Sequence, residues 1–95
     1  MNESYKNVFD ALEDDPVEAK NLYIRSMLML EIKKYIEAAS MTQKEASVQM
    51  GVTQPRISDL MRGKIDLFTI DTLVSMLGNA GIDVEFSLKP AVEAA

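Results

Sequence analysis

Side chains that can make paired hydrogen bonds lie close together between positions 42 and 64. The carboxamide of Gln54 carries the donor and acceptor that match an adenine edge, and the guanidinium fork of Arg56 matches guanine or a phosphate. Gln43 lies eleven residues before Gln54, at a predicted helix start, where its side chain and a backbone amide can meet a phosphate. These residue types and spacings predict a surface that contacts nucleic acid.

Other residues of the same stretch extend this surface. Hydroxyl and basic side chains suited to contacts with a phosphate backbone are Lys44, Thr53, Ser58, Arg62 and Lys64. Pro55 lies between Gln54 and Arg56 and belongs to the same predicted surface. Asp59 has two interpretations: it could accept a hydrogen bond from cytosine, or it could orient Arg56 or Arg62 three residues away. We favour the orienting role.

Two short helices joined by a glycine turn must position these side chains. Thr42 is a suitable N-cap for the first helix, with Glu45 completing a capping box, and Gly51 can adopt the positive φ that ends it. Thr53 is the predicted N-cap of the second helix, and Gly63 closes it. The apolar contacts of the pair are expected from Ala46, Val48, Met50, Ile57, Leu60 and Met61.

Two further helices flank this pair. The first is predicted to begin at Asp15 and Pro16, with Glu18 as its capping-box partner, and to run to about Ala39. Its expected core stripe is Ile24, Leu28, Ile32, Tyr35, Ile36 and Ala39. The second is predicted from the cap Thr69 through Asn79, with Gly81 as terminator. Its expected inward residues are Ile70, Leu73, Val74 and Leu77.

The pattern changes near the C-terminus, where Ile82, Val84, Phe86 and Leu88 alternate with polar residues. This period of two predicts a half-buried β-strand, which must pair its backbone groups. The pairing could be with the same strand of a second copy, with residues 5–9 of the same chain, or with a partner protein. We favour the homodimer.

The prediction for the whole chain is a mainly α fold: a bundle of four to five helices with a C-terminal strand that pairs across a dimer. Residues 1–14 form an N-terminal segment, 15–81 the helical domain that contains the helix pair at 42–64, 82–90 the dimerisation strand and 91–95 a tail.

Composition excludes several kinds of chemistry. The 95 residues include no cysteine or histidine, so disulfides, thiolate or imidazole catalysis and the usual zinc sites are excluded. We expect no catalytic residues, metal or cofactor. No signal peptide or membrane span is predicted, and we expect a cytoplasmic protein. The net charge is −5, but residues 41–64 carry a net charge of +2, so the helix pair is the positive part of an acidic chain.

These residues resemble the helix-turn-helix of the phage-repressor (XRE) family. The resemblance is carried by the two glutamines at helix starts (Gln43 and Gln54), the turn glycine Gly51, the core pair Ile57 and Leu60, and the closing Gly63–Lys64. The continuation through Ile65–Phe68 and Thr69–Leu73 is similar to HigA-type antitoxins. The chain departs from the XRE pattern at Ser47, where alanine is usual, at Pro55, where a base-reading residue is common, and in having a strand instead of a fifth helix.

The resemblance implies a repressor that binds a palindromic operator in double-stranded DNA as a homodimer. It further implies an antitoxin that represses its own operon and neutralises a RelE-like ribosome-dependent ribonuclease. Two alternatives stay open: an orphan regulator without a toxin, and a module whose main task is protein binding.

Overall fold

The computed structural model describes residues 15–90, and over this range the chain is mainly α-helical, as predicted. The four α-helices are α1 (Pro16–Ala38), α2 (Gln43–Met50), α3 (Gln54–Met61) and α4 (Ile70–Asn79), with a short 3₁₀ turn at Ile65–Leu67 before α4. Among the described residues, no helix has the length and apolar character needed to cross a bilayer.

The helix starts follow the predicted capping residues. Asp15 Oδ1 accepts a hydrogen bond from Val17 N at 2.9 Å, and Pro16 occupies the first turn of α1. The side chains of Thr42, Thr53 and Thr69 each accept from the backbone N–H three residues later. Thr42 and Glu45 form the full capping box. Each cap satisfies a donor that has no partner inside its helix.

The helix ends use left-handed residues, three of them glycines. Gly51, Gly63 and Gly81 have φ of 71°, 74° and 81°, in agreement with their predicted roles. The end of α1 is different because Ser40 takes this conformation, with φ 55°. Met41 N then donates to Ile36 O at 3.1 Å, so the turn closes as it would around a glycine.

All four helices and the 3₁₀ turn contribute to one apolar core. Its buried members are Met29, Ile32, Ile36, Ala46, Met50, Ile57, Leu60, Phe68, Leu73, Met76 and Leu77. In this arrangement α1 packs against α4 and the 3₁₀ turn, while α2 packs against α3 and α4. The helix pair is thus held on a scaffold of the two longer helices.

Four predicted burial positions are wrong. On α1, Ile24 is 39% exposed while the neighbouring Ser26 is only 4% exposed, so the buried stripe lies further round the helix than predicted. Ser26 tolerates burial because its hydroxyl donates to Tyr23 O at 2.7 Å. Val48 is 78% exposed on α2. The remaining two positions are Ala39 and Val74. Ala39 is exposed beyond the end of α1, and on α4 Val74 is exposed while Met76 is buried in the core.

The C-terminal segment, residues 82–90, forms no strand with any other residue between 15 and 90. Ile82 and Val84 pack against the core, in keeping with the alternation, but Phe86 and Leu88 are 82% and 90% exposed. The alternative partner, residues 5–9, lies outside the described residues. Pairing with a second copy stays a prediction, because a ladder between copies needs two chains.

Candidate nucleic-acid interface

The turn between α2 and α3 is fixed by hydrogen bonds from both sides. Gly51 N and Val52 N both donate to Ser47 O, at 3.0 and 3.1 Å. From the far end of α4, Asn79 Nδ2 donates to Met50 O at 3.0 Å and satisfies a carbonyl at the end of α2. Ser47 itself is buried and donates its hydroxyl to Lys44 O at 2.7 Å, so serine fits where the XRE pattern has alanine.

Helix α3 has one buried side and one exposed end. Ile57 and Leu60 are fully buried in the core. Thr53, Gln54 and Pro55, which form the N-terminal turn of the helix, are exposed. The helix therefore presents its first turn to solvent while its apolar side anchors it, which is the presentation needed for insertion into a groove.

Arg56 is held in place by two contacts at the edge of this turn. Its guanidinium carbon lies 5.7 Å from the centroid of the Phe68 ring, and Phe68 is itself buried. Its Nη1 lies 3.7 Å from Asp59 Oδ2. Stacking on an aromatic ring and pairing with a carboxylate both restrict the rotamers of a long side chain. Arg56 is thus partly pre-oriented while remaining accessible.

Asp59 is the centre of a cluster of cations. Besides Arg56, its carboxylate lies 3.5 Å from Arg62 Nη2 and 3.8 Å from Lys64 Nζ. The backbone closes the same group, because Lys64 N donates to Asp59 O at 3.0 Å around Gly63. Asp59 therefore lies within ion-pair distance of both arginines that we expected it to orient, and Lys64 is an additional partner.

The remaining predicted contact residues lie around this cluster. Gln43 and Lys44 are exposed in the first turn of α2, and Ser58 is partly buried on α3. Direct contacts join Arg56, Asp59, Arg62 and Lys64 into one group. These contacts do not include Gln43, Lys44 or Gln54.

Sequence reasoning missed Arg25, which fixes the turn beneath this surface. Its side chain is only 12% exposed, and its Nη1 donates to Ile65 O and Phe68 O, both at 3.2 Å. Its Nε donates to Asn21 Oδ1 at 2.7 Å, and its Nη2 pairs with Glu18 Oε2 at 3.2 Å. Glu18 is therefore a partner of Arg25, in place of its predicted capping-box role.

The signal for Arg25 in the sequence was weak. A single arginine within an apolar run, four residues after Asn21 and seven after Glu18, indicates a helical ion pair at most. Its carbonyl acceptors are 40 and 43 residues away, so no local pattern could identify them. Arg25 holds the backbone of Phe68, and the ring of Phe68 supports Arg56.

The fold and the exposed surface define a helix-turn-helix domain of the XRE-like kind, a class that binds DNA. A family model described as a helix-turn-helix domain matches residues 8–89 of the 95. The chain belongs to this helix-turn-helix family. No curated protein matches the chain.

Proposed function

We propose that this protein is a sequence-specific transcriptional repressor that binds a palindromic operator as a homodimer. The observation that carries the proposal is the exposed first turn of α3, with Arg56 at its edge, on a helix whose Ile57 and Leu60 are fully buried. Helices of this kind enter the major groove with their N-terminal residues towards the bases.

The proposed contacts divide into reading and positioning. Gln54 would pair with adenine and Arg56 with guanine or a phosphate, because their side chains offer two hydrogen bonds in a fixed geometry. The residues proposed to meet the phosphate backbone are Gln43, Lys44, Thr53, Ser58, Arg62 and Lys64. Pro55, exposed between the two reading residues, would lie against the groove without a donor of its own.

Substitution of Arg56 tests the proposed base recognition. Operators would be selected from a random duplex library with the wild-type protein, and binding then measured for Arg56→Ala and Arg56→Lys. We expect Arg56→Ala to weaken operator binding by about 1–3 kcal/mol, at least fivefold. Compared with Arg56→Ala, Arg56→Lys should bind random duplexes more tightly without regaining sequence preference, because lysine keeps the positive charge but lacks the guanidinium fork.

Lys34→Ala is the matched control for lost charge, since Lys34 is an exposed cation on α1 that pairs with Glu31, outside the cation cluster around Asp59. Circular dichroism would establish that each variant is folded. Full sequence-specific binding by a folded Arg56→Ala protein would count against the proposal.

The C-terminal segment supports the proposed dimer. Phe86 and Leu88 are the most exposed large apolar side chains of the described chain, and they follow Ile82 and Val84 at alternating positions. A strand that pairs with its symmetry mate would cover them and satisfy the backbone. Two copies would then present two reading helices about 34 Å apart, one helical turn of DNA.

Sedimentation measurements test the dimer. Phe86→Asp combined with Leu88→Asp should yield a folded monomer, since neither side chain contributes to the core. Ser87→Asp, on the intervening position, should leave the dimer intact. Deletion of residues 85–95, which keeps the core contacts of Ile82 and Val84, should also yield a monomer. A dimer that persists in both apolar-to-charged and deletion variants would refute pairing through this segment.

The resemblance to HigA-type antitoxins supports a more specific role. We propose that the protein represses its own operon and neutralises a RelE-like toxin. The alternative is an orphan regulator without a toxin. The neighbouring gene distinguishes the two, because a small basic toxin-like reading frame beside this gene supports the antitoxin. If the protein is an antitoxin, co-expression with the product of that reading frame should yield a stable complex and relieve the growth arrest that the toxin causes. If neither result is obtained, the orphan regulator is supported instead.

A further inference from the structure

The three cations around Asp59 are held by one carboxylate. Arg56, Arg62 and Lys64 approach its two oxygens at 3.5–3.8 Å, and the Asp59 side chain is only 20% exposed. Three positive charges against one negative charge leave the cluster net positive. Without the carboxylate the three cations would repel one another and their long side chains would spread into solvent.

A DNA phosphate that approaches this cluster meets both attraction and repulsion. It attracts Arg62 and Lys64, and it is repelled by the carboxylate that already holds them. This repulsion acts on every duplex regardless of sequence, because phosphates are the same everywhere. The orienting effect on Arg56, in contrast, is useful only where the correct base lies opposite its fork.

We infer that Asp59 is a specificity-determining residue of the DNA-reading surface, which acts through its neighbours and not by touching a base. This inference rests on the proposed function. Asp59 weakens binding to all sequences by opposing the phosphates, and it strengthens binding to the operator by pre-orienting Arg56. Both effects increase the ratio of operator affinity to random-sequence affinity.

The competing role for Asp59 is direct acceptance of a hydrogen bond from cytosine. Its geometry disfavours that role, because Oδ1 is shared between Arg62 and Lys64 and Oδ2 faces Arg56. The two roles differ in their consequences. A base contact would affect discrimination at one base pair, whereas the inferred role affects binding to all duplexes and at the position read by Arg56.

Asp59→Asn tests the inference because it removes the charge with almost no change in shape. One additional effective cation steepens the dependence of log affinity on log salt by up to about 0.9, which corresponds to about fivefold at 0.15 M salt relative to 1 M. We therefore expect affinity for a random-sequence duplex of 20 base pairs to rise by about fivefold. Affinity for the selected operator should rise less or fall.

Two further variants complete the design. Asp59→Glu keeps the charge and can still reach the cations, so its random-duplex affinity should stay within about twofold of wild type. Asp71→Asn makes the same change at an exposed site outside the cation cluster and should also stay within about twofold. Thermal melting of each free variant would establish that it is folded.

The outcomes separate the inference from the proposed function. If the wild-type protein shows no sequence preference on any duplex, the proposed function fails and the inference fails with it. If the wild type is sequence-specific but Asp59→Asn raises operator and random affinities equally, only the inference is overturned. Loss of discrimination confined to one base pair other than the one read by Arg56, with random-duplex affinity unchanged, would also overturn it, in favour of direct reading by Asp59.

Discussion

Replacement of Gly51 by alanine would introduce a methyl group 2.7 Å from Asn79 Nδ2. That nitrogen is the donor to Met50 O, so the asparagine would have to move and give up its hydrogen bond. The lost bond costs about 0.5–1.5 kcal/mol. Alanine at a φ of +71° adds about 1–2 kcal/mol of backbone strain. The expected loss in free energy of unfolding is therefore about 1.5–3.5 kcal/mol.

Gly63 provides the matched control for this prediction. Its φ is +74°, but among residues 15–90, its two chain neighbours aside, no atom lies within 4 Å of a Cβ built there, so Gly63→Ala should cost only the strain, about 1–2 kcal/mol. The double variant Gly51→Ala with Asn79→Ala isolates the contact. Once Asn79 has been removed, Gly51→Ala should cost no more than Gly63→Ala, which leaves a coupling energy of about 0.5–1.5 kcal/mol.

Urea denaturation followed by circular dichroism would measure these differences. The denaturation midpoints should shift while the m-values stay unchanged, since no variant alters the surface exposed on unfolding. The reasoning would be refuted if Gly51→Ala were no more destabilising than Gly63→Ala. A full penalty that persists in the Asn79→Ala background would refute it as well, because the steric contact would then not be its cause.

Three further changes in stability can be measured by the same denaturation experiment. Arg25→Met should destabilise the domain by about 1.5–3 kcal/mol, because the carbonyls of Ile65 and Phe68 lose a charged donor. A loss below about 0.5 kcal/mol, which is typical of a surface substitution, would contradict this. Ser40→Gly should stabilise it by about 1 kcal/mol, since serine is left-handed there with φ 55°, and destabilisation would contradict the backbone argument. Gly78→Ala should stabilise it by about 0.5–1 kcal/mol, because Gly78 is inside α4 and a Cβ built there meets nothing within 4 Å among the described residues beyond its own helix backbone; no gain would indicate a contact absent from this structure.

The helix boundaries could be predicted from sequence because they are decided locally. Thr42 and Glu45 bond to each other's backbone across three residues, and the same short-range chemistry applies to Thr53 and Thr69. Gly51 identifies the turn because few other residues adopt its conformation without strain. These interactions need no knowledge of the rest of the fold.

Burial within α1 and α2 could not be predicted as well. Apolar residues occur on nearly all sides of α1, so the sequence pattern does not single out the buried stripe. The choice of Ser26 over Ile24 follows from where α4 and the 3₁₀ turn pack, which is a tertiary property. Val48 is exposed for the same reason, because the buried side of α2 is decided by where α3 and α4 pack against it.

In the candidate site, too, local features could be predicted from sequence and tertiary contacts could not. The exposure of Gln54 and the pairing of Arg56 with Asp59 follow from helical spacing and could be anticipated. The Arg56–Phe68 contact and the support from Arg25 join residues that are far apart in sequence. Such contacts depend on the complete fold, and a single sequence carries no local signal for them.

Asn79 ends α4 and bonds to Met50 O, and the C-terminal segment begins only three residues later with Ile82 packed on the core. From Ile82, the path to the reading helix is therefore short and runs through residues that are packed on the core or hydrogen-bonded to the end of α2. One added base pair between two half-sites would displace the second half-site by about 3.4 Å and rotate it by about 34°. A dimer built on this path could not follow that change, so its operators would tolerate substitution in the spacer but not a change in spacer length.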